Sequence, residues 1–168
     1  MMGSGKTTVG RLVAHRLGSG FADTDEEVES STGVSVPEMF ARRGEEAFRR
    51  AESHALSVLL AADGPCVVAV GGGAVLSEAN RQMMQREATV VWLRAVVGTL
   101  TDRVGTGEGR PLLADGEVAL DHKTHDRLSE LSNQRHHLYE DVSDLIIDTD
   151  DMSPGEVADV VVSLVTSR

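Results

Sequence analysis

The chain reads as an α/β protein built on a parallel sheet, and three observations carry that reading. Segments with helical apolar periodicity alternate with short β-type runs along the length. Met1-Met2-Gly3-Ser4-Gly5-Lys6-Thr7-Thr8 opens a helix in the manner of a phosphate-binding loop. The apolar run Cys66 to Val70 ends in Gly71-Gly72-Gly73, which lets backbone approach a ligand closely.

The elements follow in order. A first helix runs from Thr7 to Leu17, and Gly18 is placed to stop it. Phe21-Ala22-Asp23 is a short strand ending in carboxylates. A helix follows to Ser31 and another starts at Val36. A long helix covers Glu45 to Ala62, with Phe48, Leu56, Leu59 and Leu60 on its buried side. Cys66 to Val70 reads as a buried strand. A helix from Ser77 to Gln85 leads to a strand from Thr89 to Leu93, then a helix from Ala95 to Val104. Gly105 to Glu117 is glycine-rich and charged, the composition of a mobile surface loop. A helix ends at Tyr139, and Asp144 to Asp148 is the last strand. Ser153-Pro154-Gly155-Glu156 is a capping box with proline at the first helical position. The helix it opens carries Val157, Val160, Val161 and Leu164 on one apolar face.

Composition narrows the class. The 168 residues, 40% hydrophobic and 26% charged, suit one soluble domain with a sizeable core. No run approaches the ~18 apolar residues of a membrane span, and no signal peptide is visible, so a cytoplasmic protein is expected. Cys66 is the sole cysteine, so no internal disulfide can form, and its apolar run suggests a buried, inert thiol. A net charge of −11 argues against nucleic acid as a partner. A bound nucleotide must therefore be held by a local positive cluster.

Several motifs carry chemistry. Gly3 and Gly5 allow backbone N–H groups to turn toward a polyphosphate, and Ser4 between them and Thr8 at the end of the run are expected ATP-binding residues with them. Lys6 offers an ammonium to the terminal phosphates, and Thr7 offers a hydroxyl to Mg²⁺. Only two lysines occur, Lys6 and Lys123, so an arginine-using chain keeps lysine where a compact ammonium is needed. Asp23-Thr24-Asp25 follows a strand, where ligands collect in open α/β sheets. The same carboxylates, with Glu26 and Glu27, also suit a helix N-terminus. Glu52 lies close to the apolar stripe of the long helix and needs a partner, for which an arginine is the usual choice. His136-His137 has no metal-ligand spacing and reads as surface. No nucleophile elbow is present.

In combination the motifs resemble shikimate kinase. Gly-Ser-Gly-Lys-Thr comes first, then Asp-Thr-Asp, then Gly44-Glu45-Glu46-Ala47-Phe48-Arg49-Arg50-Ala51-Glu52. Gly71-Gly72-Gly73-Ala74 follows, then Arg110-Pro111-Leu112-Leu113, and Arg135 shortly before Leu138-Tyr139. The resemblance implies a single P-loop kinase domain over 1–168, with α/β/α layers and a central parallel sheet. Residues 24–62 would form a helical substrate-binding region and 105–122 a mobile lid.

The resemblance also implies roles. Lys6 would bind the β- and γ-phosphates of ATP, with Thr7 and Asp23 holding Mg²⁺. Asp25 would contact the shikimate hydroxyl that attacks the γ-phosphate, as base or positioner. Arg49 and Arg135 would grip the shikimate carboxylate, with Gly71, Gly72 and Gly73 beside its hydroxyls. Arg110 would reach the transferring phosphate, and Arg103 would stack on adenine near Pro154. ATP and shikimate are the expected partners of a monomer.

Two departures from the family pattern stand out. The first strand and first loop glycine are absent, as though the start were set at an internal methionine. The stretch Ala114 to Glu130 is also longer than usual. Two other readings share parts of the pattern. One is another P-loop metabolite kinase, such as a gluconate kinase; the other is a truncated, non-catalytic nucleotide-binding remnant.

Overall fold

The computed structural model describes residues 1–105 and 120–167. Helix α1 (Lys6–Leu17) leads to strand β1 (Gly20–Asp23), helix α2 (Thr24–Thr32) and helix α3 (Val36–Leu60). Strand β2 (Cys66–Ala69), a 3₁₀ turn (Ala74–Leu76), helix α4 (Glu78–Glu87), strand β3 (Val91–Arg94) and helix α5 (Val97–Val104) follow. Helix α6 (Leu120–Val142), strand β4 (Leu145–Asp148) and helix α7 (Pro154–Thr166) complete the order. Helix α3 contains the junction expected between two helices. Gly44 sits there at φ 78° and ψ 170°, a conformation no helix accommodates. Helix α6 runs one turn-fraction past Tyr139, to Val142, which is buried in the same core.

Among the described residues all strand pairing is parallel, as expected for strands joined by helices. β1 pairs with β2 from Gly20–Cys66 to Asp23–Ala69, and β3 pairs with β4 from Val91–Leu145 to Arg94–Asp148. The expected single central sheet is, among the described residues, two two-stranded sheets. No described segment bridges β2 to β3, because Met1–Gly5 forms a turn rather than a strand.

Three apolar clusters hold the layers. Val9 and Val13 of α1 meet Leu93 of β3, Ile147 of β4 and Val157, Ala158 and Val161 of α7. Leu56, Trp92, Leu100, Leu128, Leu131 and Tyr139 belong to a second cluster under α5 and α6. Val28, Met39, Phe48 and Ala55 join α2 to α3, with the Phe40 and Phe48 rings 4.7 Å apart. That third cluster fixes the helical wall of the cavity described below.

Three expectations about burial are corrected. Cys66 is exposed, not buried, because it begins β2 opposite Gly20, which has no side chain to cover it. Only Ala69 of β2 is fully buried, as expected for a strand with one neighbour rather than two. Leu164 is 39% exposed, whereas Ala158 is buried and Val165 packs onto the cluster. The buried stripe of α7 is thus rotated slightly from the valine spacing.

Candidate active site

The phosphate-type loop is set by backbone conformation. Gly3 and Gly5 take φ of 77° and 83°, in the left-handed region where glycine is tolerated without strain. Gly5 is the N-cap of α1, so the positive end of the helix faces the loop. Ser4 is buried and donates its hydroxyl to the Met1 carbonyl at 3.0 Å, while Lys6 Nζ donates to the same oxygen at 2.9 Å.

The end of β1 meets this loop. Thr7 Oγ1 donates to Asp23 Oδ2 at 2.8 Å, and Asp23 Oδ1 accepts from the Asp25 N–H at 3.0 Å as N-cap of α2. Asp23 therefore fills both roles open to it from the sequence, strand-end carboxylate and helix cap. Thr24, the first residue of α2, is fully buried, and its hydroxyl accepts from the Gly71 N–H at 2.9 Å. Asp25 opens onto the cavity. The surrounding walls strip it of water and the Asp23 carboxylate repels it, so its carboxyl titrates above the usual aspartate range despite Lys6 and Arg49 nearby.

Helix α3 supplies the facing wall. Glu52 is 1% exposed and accepts from Arg49 Nη1 at 2.7 Å. Glu45 accepts from Arg49 Nη2 at 3.0 Å on the other side. Burial raises the Glu52 carboxyl above its ordinary value, and Arg49 offsets only part of that. The glycine turn after β2 packs directly on this pair. A Cβ on Gly71 would overlap Glu52 Oε1, and one on Gly73 would overlap the Arg49 guanidinium. Helix α6 closes the turn from below. Arg135 Nη1 donates to the Gly72 carbonyl at 3.2 Å, and Tyr139 Oη donates to it at 2.6 Å. Arg135 is 4% exposed, and among the described residues its Nε has no hydrogen-bond partner.

At the far end, Arg103 donates through Nη1 to Thr149 Oγ1 at 3.0 Å and through Nη2 to the Thr149 carbonyl at 2.5 Å. Pro154 opens α7 nearby. These groups share one cavity of about 750 Å³. Every site residue expected from the sequence lines it except Arg110, which lies outside the described residues with most of 105–122. Among the described residues no group of three or more His, Cys, Asp or Glu side chains converges on a metal position. No described helix is long and apolar enough to cross a membrane. Sequence reasoning assigned no site role to Thr24, Tyr139 or Thr149. Thr24 could have been found from its place between two strand-end carboxylates, and Tyr139 from its spacing four residues after Arg135.

The family model described as shikimate kinase matches residues 2–166. The chain belongs to the shikimate kinase family. A shikimate kinase of Nitrosospira multiformis is 42% identical over 94% of this chain and 77% of its own length. One from Marinomonas sp. is 39% identical over 98% of this chain and 87% of its own. The structure of a shikimate kinase from Acinetobacter baumannii in complex with shikimate superposes with a TM-score of 0.91. It is 34% identical, over 99% of this chain and 89% of that one. Shikimate kinases are ATP-using kinases, so the cavity belongs to a phosphotransferase.

Proposed function

We propose that this chain transfers the γ-phosphoryl group of ATP to the 3-hydroxyl of shikimate, giving shikimate 3-phosphate and ADP. That reaction belongs to chorismate and aromatic amino-acid biosynthesis. The observation that carries the reading is the polarity of the cavity. A phosphate-type loop with Lys6 lies on one side, two arginines meet a glycine turn on the other, and the Asp25 carboxylate senses Lys6 and Arg49.

Each residue then has a task. The Gly3–Gly5 backbone and the start of α1, with Ser4 and Thr8 beside them, cradle the phosphates, and Lys6 neutralises the β- and γ-oxygens. Arg103 stacks on adenine while Thr149 holds its guanidinium, and Pro154 bounds the same pocket. Arg49 and Arg135 read the planar carboxylate of shikimate through guanidinium forks. The open Arg135 Nε is the donor such an anion would satisfy. Gly71–Gly73 brings backbone close to the sugar-like hydroxyls. Asp25 accepts the proton of the 3-hydroxyl as its oxygen bonds to phosphorus and the bridging oxygen departs with ADP. Arg110, on a lid over 105–122, takes charge on the transferring phosphate.

The donor set Thr7 hydroxyl and Asp23 carboxylate, 2.8 Å apart, fits Mg²⁺, a hard cation bound by few protein oxygens. When bound, Mg²⁺ neutralises phosphate charge. The reading includes one catalytic domain over 1–168, acting as a cytoplasmic monomer. Scattered single exposed apolar residues such as Leu17, Val58 and Val96 support the monomer.

The test is ADP release with Mg-ATP and either shikimate or gluconate. Turnover is expected with shikimate alone, lost with EDTA and restored by excess Mg²⁺. Equal turnover of gluconate, or none of shikimate, overturns the reading.

A further inference from the structure

The inner face of α6 carries Leu128, Leu131, Arg135, Tyr139 and Val142, at helical spacing and all buried. Arg135 and Tyr139 are the two of these five that carry polar groups, and both donate to one acceptor, the Gly72 carbonyl. A carbonyl oxygen has two lone pairs, so it can take both donors. The contacts are unequal: the phenol approaches to 2.6 Å and the guanidinium to 3.2 Å.

The phenol ring is the fixed partner. Trp92 of β3 stacks on it at 5.3 Å with 28° between planes, and Tyr139 is 6% exposed. The glycine turn is held at its ends, where the Gly71 N–H donates to Thr24 and the Gly71 and Gly73 carbonyls accept from the Ala74 and Leu76 N–H groups, which leaves the Gly72 carbonyl to the two side chains of α6. A peptide between two glycines meets little steric resistance to rotation. Whatever fixes the Gly72 carbonyl therefore fixes that peptide plane. Arg135 Nη1 takes its bearing from the same oxygen, while Nε is left unsatisfied among the described residues.

We propose that Tyr139 is a positioning residue for substrate binding: its hydroxyl pins the Gly72 carbonyl and thereby sets the angle at which Arg135 presents its guanidinium to the acid group of the substrate. The inference rests on the reading of Arg135 as the ligand of the shikimate carboxylate. Phenylalanine at this position keeps the ring and its stack on Trp92 and removes only the hydroxyl. The pinning is thus separable from the packing.

The experiment compares the parent, Tyr139→Phe, Arg135→Ala and the double variant. Melting temperature, kcat, the KM of each substrate and the initial slope in shikimate (kcat/KM) are measured. Tyr139→Phe is expected to raise the KM for shikimate about fivefold to tenfold. The KM for ATP, kcat and the melting temperature should stay near the parent's. In the Arg135→Ala background, the same change should alter the slope less than twofold. An unchanged KM for shikimate overturns the proposal. So does an equal loss of slope in both backgrounds, or a parallel rise in both KM values with a fall in melting temperature. A parent that fails to turn over shikimate removes the underlying reading and this proposal with it. An active parent with an indifferent Tyr139→Phe variant rejects the Tyr139 role alone.

Discussion

The Arg49 guanidinium is flanked by two carboxylates, Glu52 at 2.7 Å and Glu45 at 3.0 Å, and lies against Gly73. Its geometry is set before substrate arrives, so little ordering remains to be done on binding. A hydrogen bond to a charged group contributes roughly 1.5–3 kcal/mol. Arg49→Ala should therefore raise the KM for shikimate about tenfold or more, because ~1.4 kcal/mol is a factor of ten. Steady-state kinetics checks this, and an unchanged KM would remove Arg49 from the binding set. Asp25 makes a different prediction. Its carboxyl is raised by burial and then by Asp23, so the folded state favours the protonated form. That contribution to stability is full below the ordinary aspartate range and is lost as pH rises through the raised value. At neutral pH the carboxylate destabilises the fold, and Asp25→Asn should raise the melting temperature. The same change should lower kcat by about 10²-fold or more if Asp25 is the base. The acid limb of the parent's kcat/KM profile should lie above the ordinary aspartate value. A variant that loses stability together with activity would contradict this sign.

At the scale of elements, helix ends do much of the placing. The capping box of α7 is complete: Glu156 N–H donates to Ser153 Oγ and Ser153 N–H donates to Glu156 Oε2 at 2.8 Å. It was legible as Ser-Pro-Gly-Glu because its partners lie within four residues of one another. Ser153→Ala should cost about 1 kcal/mol, a fall of about 2–4 °C in melting temperature at this chain length. Thermal unfolding reads it, and no change would mean that Pro154 alone starts the helix. The break within α3 was legible as the boundary between a helix starting at Val36 and one starting at Glu45, and Gly44 takes the non-helical conformation there. The exposure of Cys66 was not legible. Its five-residue run looks the same whether a strand has one neighbour or two, and only the pairing partner decides.

At the scale of the whole molecule, the cavity joins segments that are distant in sequence. Thr24 bonds Gly71, Arg135 and Tyr139 bond Gly72, and Arg103 bonds Thr149. A ligand held by such a cavity stabilises the fold as a unit. Each substrate at 100 times its Kd should add about 2.7 kcal/mol, or roughly 5–11 °C in melting temperature at this chain length. Thermal shift with shikimate and with Mg-ATP tests this, and a shift from neither would mean that the cavity is not their site.

The sequence alone determined the element types, the parallel pairing, the phosphate loop and the family. Those follow from spacing between near neighbours and from motifs that carry their own chemistry. Tertiary structure alone decided that Glu52 sits wholly buried beside Arg49, and that Thr24 and Tyr139 hold the glycine turn from opposite sides. It also decided that the parallel strands form two separate pairs. The physical reason is that burial and hydrogen-bond partnership belong to contacts between residues as far as 139 positions apart, as between Arg16 and the Gly155 carbonyl, and no local pattern records which side chain will stand opposite another.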